Sequence, residues 1–202
     1  MLILAFAKNT QNMSRLLIYT LLLAAIIACQ NAEKPPANEE NGVTPTPPEN
    51  EDEVLLRLSS DLYLDPQTQD ERDQNAIVNY AIDNSLDVQS TPSGLYYQII
   101  EAGTGDTLQW GDRVRVHYRG YFLNGKEFDS SYKRDKPIEF YIGNMIHGWN
   151  EALEMMQPGA KALLLVPSRL GYGEKGLKDG NGSVLVPPNE PLIFEMEVLN
   201  KL

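Results

Sequence analysis

The sequence predicts an α+β domain, in which about five antiparallel strands pack on one short helix, preceded by an N-terminal helix and an extended, disordered tether. Three observations predict it. Short apolar runs, several alternating with period two, are separated by Gly, Pro and Asn turn signals through the C-terminal half; one short helical segment interrupts them; and the first fifty or so residues show neither pattern. The 202 residues, 42% hydrophobic and 22% charged, are enough for one core of full size with a tail. The net charge of -11 argues against nucleic acid as a partner, because phosphate binding draws on clustered Lys and Arg. One Cys and two His leave no Cys/His zinc site and no internal disulfide, so stability must come from packing.

The leader divides into two materials. From Leu16 to Ala28, after Arg15, the chain is uncharged and strongly apolar apart from Tyr19 and Thr20. Thirteen residues are too few to span a bilayer as a helix, which takes about 20, but they fit the apolar region of a secretory signal. Met13-Ser14-Arg15 opens a signal of conventional proportions, which makes Met13 an alternative start to Met1. The run ends Ile26-Ile27-Ala28-Cys29, and a small residue directly before the only Cys resembles a bacterial lipobox. Cys29 would then be diacylated on sulfur and become the mature N-terminus, with residues 1–28 removed. Residues 29–53 form the lipidated Cys and an acidic linker: Gln30 to Glu53 holds five prolines, seven acidic residues and a single Lys34. Such a segment cannot bury enough surface to offset its ordering entropy. The chain's acidity therefore describes the linker more than any binding surface.

Residues 54–92 form an N-terminal helical segment. Asp65-Pro66 reads as a helix start, with Asp70 and Glu71 near its N-terminal end and Ile77, Val78, Tyr80, Ala81 and Ile82 supplying an apolar side. One helix over about Pro66 to Asn84 is expected, acting as a spacer or packing on the C-terminal strands or on a second copy.

Residues 93–202 are mostly strands and turns. Leu95 to Ile100 precedes the turn-rich Gly103-Thr104-Gly105-Asp106, and Arg113 to Tyr118 alternates as a half-buried strand should. Asn124-Gly125 is a hairpin signal between Tyr121-Phe122-Leu123 and Glu127-Phe128. Ile138 to Ile142 is a further strand, and Trp149 to Met156 a short helix stopped by Pro158-Gly159. Lys161 to Val166, a long Gly-rich loop and the strand Leu192 to Leu199 complete the order.

Several chemistries are excluded. Gly171-Tyr172-Gly173-Glu174-Lys175-Gly176 matches G-x-G-x-x-G, but the Gly-rich residues after it cannot form the helix whose N-terminus would face a pyrophosphate. Asp179, Asn181, Ser183 and Glu190 mimic calcium-loop spacing, yet Val184 stands where Gly is needed and Pro187-Pro188 blocks the exit helix. No G-x-S-x-G elbow occurs, and the only Cys lies in the export segment. His117 reads as a structural or half-exposed residue and His147 as solvent-facing, so no cluster suggests acid–base work.

What remains is an aromatic and aliphatic constellation punctuated by Gly and Pro. Val116-His117-Tyr118-Arg119-Gly120, Gly125-Lys126-Glu127-Phe128-Asp129-Ser130-Ser131 and Ile146-His147-Gly148-Trp149-Asn150-Glu151-Ala152-Leu153 come first. Pro167 to Gly173, Val186-Pro187-Pro188-Asn189 and Leu192 to Leu199 continue in register. Together these resemble the FK506-binding (FKBP-type) peptidyl-prolyl isomerase family, over about Ser93 to Leu202. The resemblance implies an FKBP-like fold and a pocket with Trp149 as the floor under a substrate proline ring. Tyr118, Phe128 and Phe194 would be the aromatic walls, with Ile138, Met145 and Ile146 lining it and Leu185 or Val186 bordering it. The Ile146 N–H and Tyr172 hydroxyl would donate to substrate carbonyls, and Asp129 would sit at the rim, holding Tyr118 and Arg134. No cofactor, metal or covalent intermediate is implied.

Some positions depart from the family pattern. Ile138 stands where many members carry an aromatic residue, Met145 replaces a β-branched one, and Gly171 takes a place usually held by Ala. The loop from Glu174 to Val184 is longer than in minimal members and lacks their His. These departures bear on substrate choice and on affinity for FK506- or rapamycin-type macrolides. The resemblance and the leader together imply a lipid-anchored isomerase of a bacterial envelope, on the periplasmic side of the outer membrane, acting on proline-containing polypeptides. Gram-negative lipoprotein members, including gliding-associated ones, share this layout. A non-catalytic chaperone or binding module, and a scaffold subunit of an envelope complex, stay open beside it, as does the choice between monomer and dimer.

Overall fold

The computed structural model describes residues 50–202. The signal-like run, Cys29 and the acidic stretch up to residue 49 lie outside the described residues.

Two helices precede the sheet where one was expected. The first, α1 (Glu51–Ser60), opens on Asn50, whose Oδ1 accepts the Glu53 N–H at 2.9 Å. Glu51, Asp52 and Glu53, assigned to the linker on composition, are its first turn, where the positive end of the helix dipole favours acidic side chains. The second, α2 (Gln69–Asp83), starts three residues later than the Asp65-Pro66 signal indicates. A capping box decides the start: Thr68 Oγ1 accepts the Glu71 N–H at 3.2 Å, and the Glu71 carboxylate accepts the N–H groups of Thr68 and Gln67. Those bonds also hold the Glu71 carboxyl below its usual range.

The main sheet runs in the order β1 (Gln89–Ser90), β2 (Tyr96–Glu101), β6 (Lys161–Val166), β9 (Leu192–Lys201), β3 (Arg113–Phe122), β4 (Glu127–Ser130), with β5 (Ile138–Tyr141) also on β3. Every pairing is antiparallel. The long strand β3 pairs with β9 along one edge and shares its other edge between β5, over Arg113–Val116, and β4, over Arg119–Tyr121. The buried Ser131 bridges the gap between them, its Oγ accepting the Tyr118 N–H at 2.8 Å and its own N–H donating to the Tyr118 carbonyl. The strand reading of Lys161 to Val166 matches β6 at both ends, and Asn124-Gly125 turns β3 into β4 with Gly125 at φ +81°.

Side chains alternate across the sheet and divide two cores. On the inner face Val114, Val116, Leu164, Phe194 and Met196 meet Trp149, Ala152 and Leu153 of α3 (His147–Leu153). On the outer face Tyr96, Leu165 and Ile193 meet Leu58 of α1 and Ile77, Val78 and Ala81 of α2. The run Leu163-Leu164-Leu165 fails to alternate in polarity because β6 is covered on both faces. After two short 3-10 turns, Ser168–Leu170 and Gly173–Lys175, the strands β7 (Leu177–Lys178) and β8 (Val184–Val186) pair as a small hairpin. Asp179 shapes its turn, with Oδ1 accepting the N–H groups of Asn181 and Ser183 at 2.8 Å each.

Candidate functional site

The inner face of the sheet ends in a cluster of aromatic rings. Trp149, on the first turns of α3, is 2% exposed, and its indole meets Tyr118 of β3 edge-on at a centroid distance of 4.9 Å and Phe194 of β9 at 5.1 Å. Phe128 of β4 adds a T-shaped contact to Phe194 at 5.8 Å. Such edge-to-face pairs suit the ring quadrupoles and hold the rings in fixed orientations. Gly120 makes the arrangement possible. A Cβ there would lie 2.8 Å from Phe128 Cζ and 2.9 Å from Phe194 Cε1. Trp149 Nε1 is buried and meets no acceptor among the described residues.

One rim of the cluster is polar. The Tyr118 hydroxyl donates to Asp129 Oδ2 and accepts from Arg134 Nη2 at 2.8 Å, while Arg134 Nη1 pairs with Asp129 Oδ1. Ser130 N–H adds a further bond to that oxygen at 2.8 Å. Burial pushes the Tyr118 phenol up to about 12, with the bond to Asp129 contributing in the same direction. Burial alone would raise Asp129, but the Tyr118 hydroxyl and the Arg134 guanidinium outweigh it and hold the carboxyl below its usual range. The rim is therefore an ionised carboxylate, a neutral phenol and an exposed guanidinium.

Packed against the same cluster, Tyr172 is half-buried and its hydroxyl makes no hydrogen bond among the described residues. Its phenol is raised, first by burial and then by the charge of Asp129. The Ile146 carbonyl caps α3 by accepting from the N–H groups of Trp149 and Asn150, whereas the Ile146 N–H has no partner among the described residues. Asn150 places that segment: its Oδ1 accepts the N–H groups of Gly143, at 2.8 Å, and Met145, and its Nδ2 donates to the Met145 carbonyl at 2.8 Å.

The fold brings most of the expected residues together. Tyr118, Phe128, Ile138, Met145, Ile146, Trp149, Tyr172, Val186 and Phe194 share one packed cluster, and Asp129 with Arg134 joins it through Tyr118. Leu185 does not join it. The pleat of β8 turns Val186 into the core and leaves Leu185 exposed. His147 is exposed, and His117 stacks on Tyr132 at 4.4 Å with Nδ1 2.8 Å from Ser131 Oγ. Gly120, Ser131 and Asn150, which stand in the runs that carry the resemblance, also shape the cluster, as does Phe140, whose ring lies 5.9 Å from that of Trp149; none of the four was expected at the site. Of these only Gly120 carries a signal, as a lone glycine inside a strand; Asn150 and Ser131 act on backbone groups that no pattern of side chains reveals.

Comparison with known proteins decides the family. The FKBP-type peptidyl-prolyl cis-trans isomerase family matches residues 105–199. The chain is similar to AtFKBP13, whose crystal structure superposes with a TM-score of 0.53 at 36% identity, over 57% of this chain and 98% of that one. The chain belongs to the FKBP-type peptidyl-prolyl cis-trans isomerase family. A peptidyl-prolyl cis-trans isomerase from Pseudomonas syringae superposes with a TM-score of 0.56 at 30% identity, over 69% of this chain and 98% of that one. A probable FKBP-type isomerase of Haemophilus influenzae is 46% identical over 114 residues, which are 56% of this chain and 45% of that protein. The chain spans about half the length, or less, of the curated relatives it matches. Within the FKBP domain the aromatic cluster, the Asp129 rim and Tyr172 all lie inside the matched segment.

Proposed function

We propose that the FKBP domain accelerates cis–trans isomerisation of Xaa–Pro bonds in polypeptide clients, with the aromatic cluster around Trp149 as its pocket. The observation that carries this reading is the presence, in one cluster of packed rings, of two unengaged donors, the Ile146 N–H and the Tyr172 hydroxyl, together with the Tyr118–Asp129–Arg134 rim.

The chemistry needs nothing more. Rotation about an Xaa–Pro bond faces a barrier of about 20 kcal/mol, because amide resonance is lost on twisting. The twisted amide is less dipolar than either planar form. An apolar floor and walls made by Trp149, Phe128 and Phe194 therefore favour it over both ground states, and differential binding of that kind is catalysis without a nucleophile. The Ile146 N–H and Tyr172 hydroxyl hold flanking carbonyls, so that one side of the bond is fixed while the other turns. Arg134 and the Tyr118 hydroxyl engage Asp129, which keeps a localised negative charge at the rim without opening the floor to water.

Cys29 lipidation, export, and an envelope position on an acidic tether belong to this proposal, supported by the Leu16–Cys29 pattern and the Gln30–Glu53 composition. Clients are proline-containing envelope or secreted chains whose folding waits on slow prolines. Macrolides of the FK506 type are candidate ligands of the same pocket, with Ile138 and the β7–β8 hairpin setting their affinity.

The direct test is the cis–trans exchange rate of an Ala-Leu-Pro-Phe peptide, monitored by NMR without a coupled protease. The reading predicts a large acceleration that Tyr172→Phe combined with Asp129→Leu abolishes. A folded protein at concentrations near the peptide's that gives no acceleration would sink it and favour the binding-module reading.

A further inference from the structure

The helix α2 carries the only long-range side-chain hydrogen bond, among those of the described residues, that ends on the backbone leading to Tyr172. Asp73 is 1% exposed. Its Oδ2 accepts the N–H of Ser168 at 2.7 Å, across 95 residues of sequence, and its Oδ1 accepts from Gln69 Nε2 at 2.6 Å. One turn earlier on the same helix, Asp70 pairs with Arg169 Nε at 2.8 Å, and Arg169 Nη2 reaches the Ser93 carbonyl. Residues three apart on a helix share a face, so a single face of α2 grips two consecutive residues of the chain.

Those two residues open the Ser168–Leu170 3-10 turn, in which Leu170 N–H donates to the Pro167 carbonyl and Gly171 N–H to the Ser168 carbonyl. Tyr172 comes directly after. Ser168 is buried, and its N–H at the start of the turn has no partner inside the turn, so Asp73 supplies the acceptor that the turn itself cannot. A carboxylate in a dry site is costly, and no basic side chain pairs with Asp73 among the described residues. An apolar residue at that position of α2 would extend the outer core formed by Ile77 and Val78. Glu190, at the approach to β9, has its carboxyl raised by burial and by the charge of Asp73. The cost of the buried acid is met by a bond whose one evident product is a defined position for the Ser168–Tyr172 segment.

The geometry points to Asp73 as a positioning residue for the isomerase site: it fixes the turn that presents the Tyr172 hydroxyl, and α2 is thereby part of the catalytic unit and not a spacer before it. The inference rests on the isomerase reading for its activity readout and on the Asp73–Ser168 bond for its structure.

The test compares the full chain with Asp73→Ala, Asp73→Asn, Tyr172→Phe and the double variant Asp73→Ala/Tyr172→Phe, using the proline-peptide exchange rate well below the unfolding midpoint of each. Asp73→Ala is expected to lower kcat/KM about tenfold, because small displacements of a positioned donor are costly. Asp73→Asn keeps the volume and one acceptor oxygen, and should stay within about twofold of wild type. In the Tyr172→Phe background, Asp73→Ala should cost less than about twofold, since the group it positions is gone. A folded Asp73→Ala protein with wild-type kcat/KM overturns the inference, as does an equal loss with and without the Tyr172 hydroxyl. If Asp73→Ala does not fold, Asp73→Leu, similar in size and without an acceptor, takes its place. An inactive wild-type chain overturns the isomerase reading instead, and the Tyr172 ring resonances then decide for Asp73: unmoved in Asp73→Ala or Asp73→Leu, they overturn its role.

Discussion

The two faces of the sheet are built from the same strands and finished differently. On the outer face, Leu58, Ile77, Val78 and Ala81 close over Leu165 and Ile193, and two polar groups beside them are engaged: Arg57 donates to the Val88 carbonyl at 2.7 Å, and Tyr96 donates to Asp61 at 3.0 Å, while the Tyr80 hydroxyl makes no hydrogen bond among the described residues. On the inner face, the rings around Trp149 are packed together as well, yet Trp149 Nε1, the Ile146 N–H and the Tyr172 hydroxyl have no acceptor among the described residues. Burial therefore does not distinguish core from site in this molecule. What sets the inner face apart is that three unengaged donors, Trp149 Nε1–H, the Ile146 N–H and the Tyr172 hydroxyl, belong to one ring cluster.

The sharpest way to break that comparison is to truncate one large side chain on each face. Leu58→Ala and Trp149→Ala should each destabilise the protein by about 2–5 kcal/mol in chemical denaturation. Only Trp149→Ala should also abolish acceleration of peptide exchange by the molecules that remain folded. An activity loss of similar size in folded Leu58→Ala would erase the distinction between the faces.

A smaller change tests the inner face alone. Gly120→Ala would place a methyl group 2.8 Å from Phe128 Cζ, so both rings must move. Overpacking of this kind costs about 1–3 kcal/mol, and kcat/KM should fall with it. The same substitution at Gly125, in the open β3–β4 turn, meets no neighbouring atom, so its cost should come from the backbone at φ +81° and leave kcat/KM of the folded protein unchanged.

The smallest effect is the pH dependence of the rim. The Asp129 carboxyl is held below its usual 3.8, so its contribution to stability is present above that value and is lost as pH falls through the lower native value. The Tyr118 phenol is raised from its usual 10 to about 12, so its contribution is full below pH 10 and drains away as pH climbs towards 12. Between these limits the rim should be flat with pH, and Asp129→Asn should remove its share of the acid limb in denaturation curves recorded from pH 7 downward.

The strands and the aromatic cluster were largely legible because they rest on local patterns. Period-two alternation marked β3, Asn124-Gly125 marked its turn, and the aromatic positions fell within runs whose order and spacing resemble one family. The outer face was legible only in part: Ile77, Val78 and Ala81 read as the apolar side of a helix and do pack on the strands, but α1 and the start of α2 were missed. The acidic residues at 51–53 read as tether on composition alone, although beneath Asn50 they complement a helix dipole. Pro66 competed with Thr68 as a start, and the reciprocal bonds of the capping box favoured Thr68. Asp73 gave no signal, because its partner Ser168 lies 95 residues away and offers a backbone N–H, which every residue but proline possesses.

The two tryptophans offer the most direct measurement, since Trp149 is buried in the ring cluster and Trp110, outside that cluster, is 64% exposed. Titration of the full chain with the Ala-Leu-Pro-Phe peptide, monitored by nitrogen–proton correlation NMR, should shift the Trp149 indole N–H and the Ile146 amide. The Trp110 indole and the amides of Leu58 and Ile77 should stay in place. Shifts confined to the outer-face amides, with Trp149 and Ile146 unmoved at saturating peptide, would contradict the account.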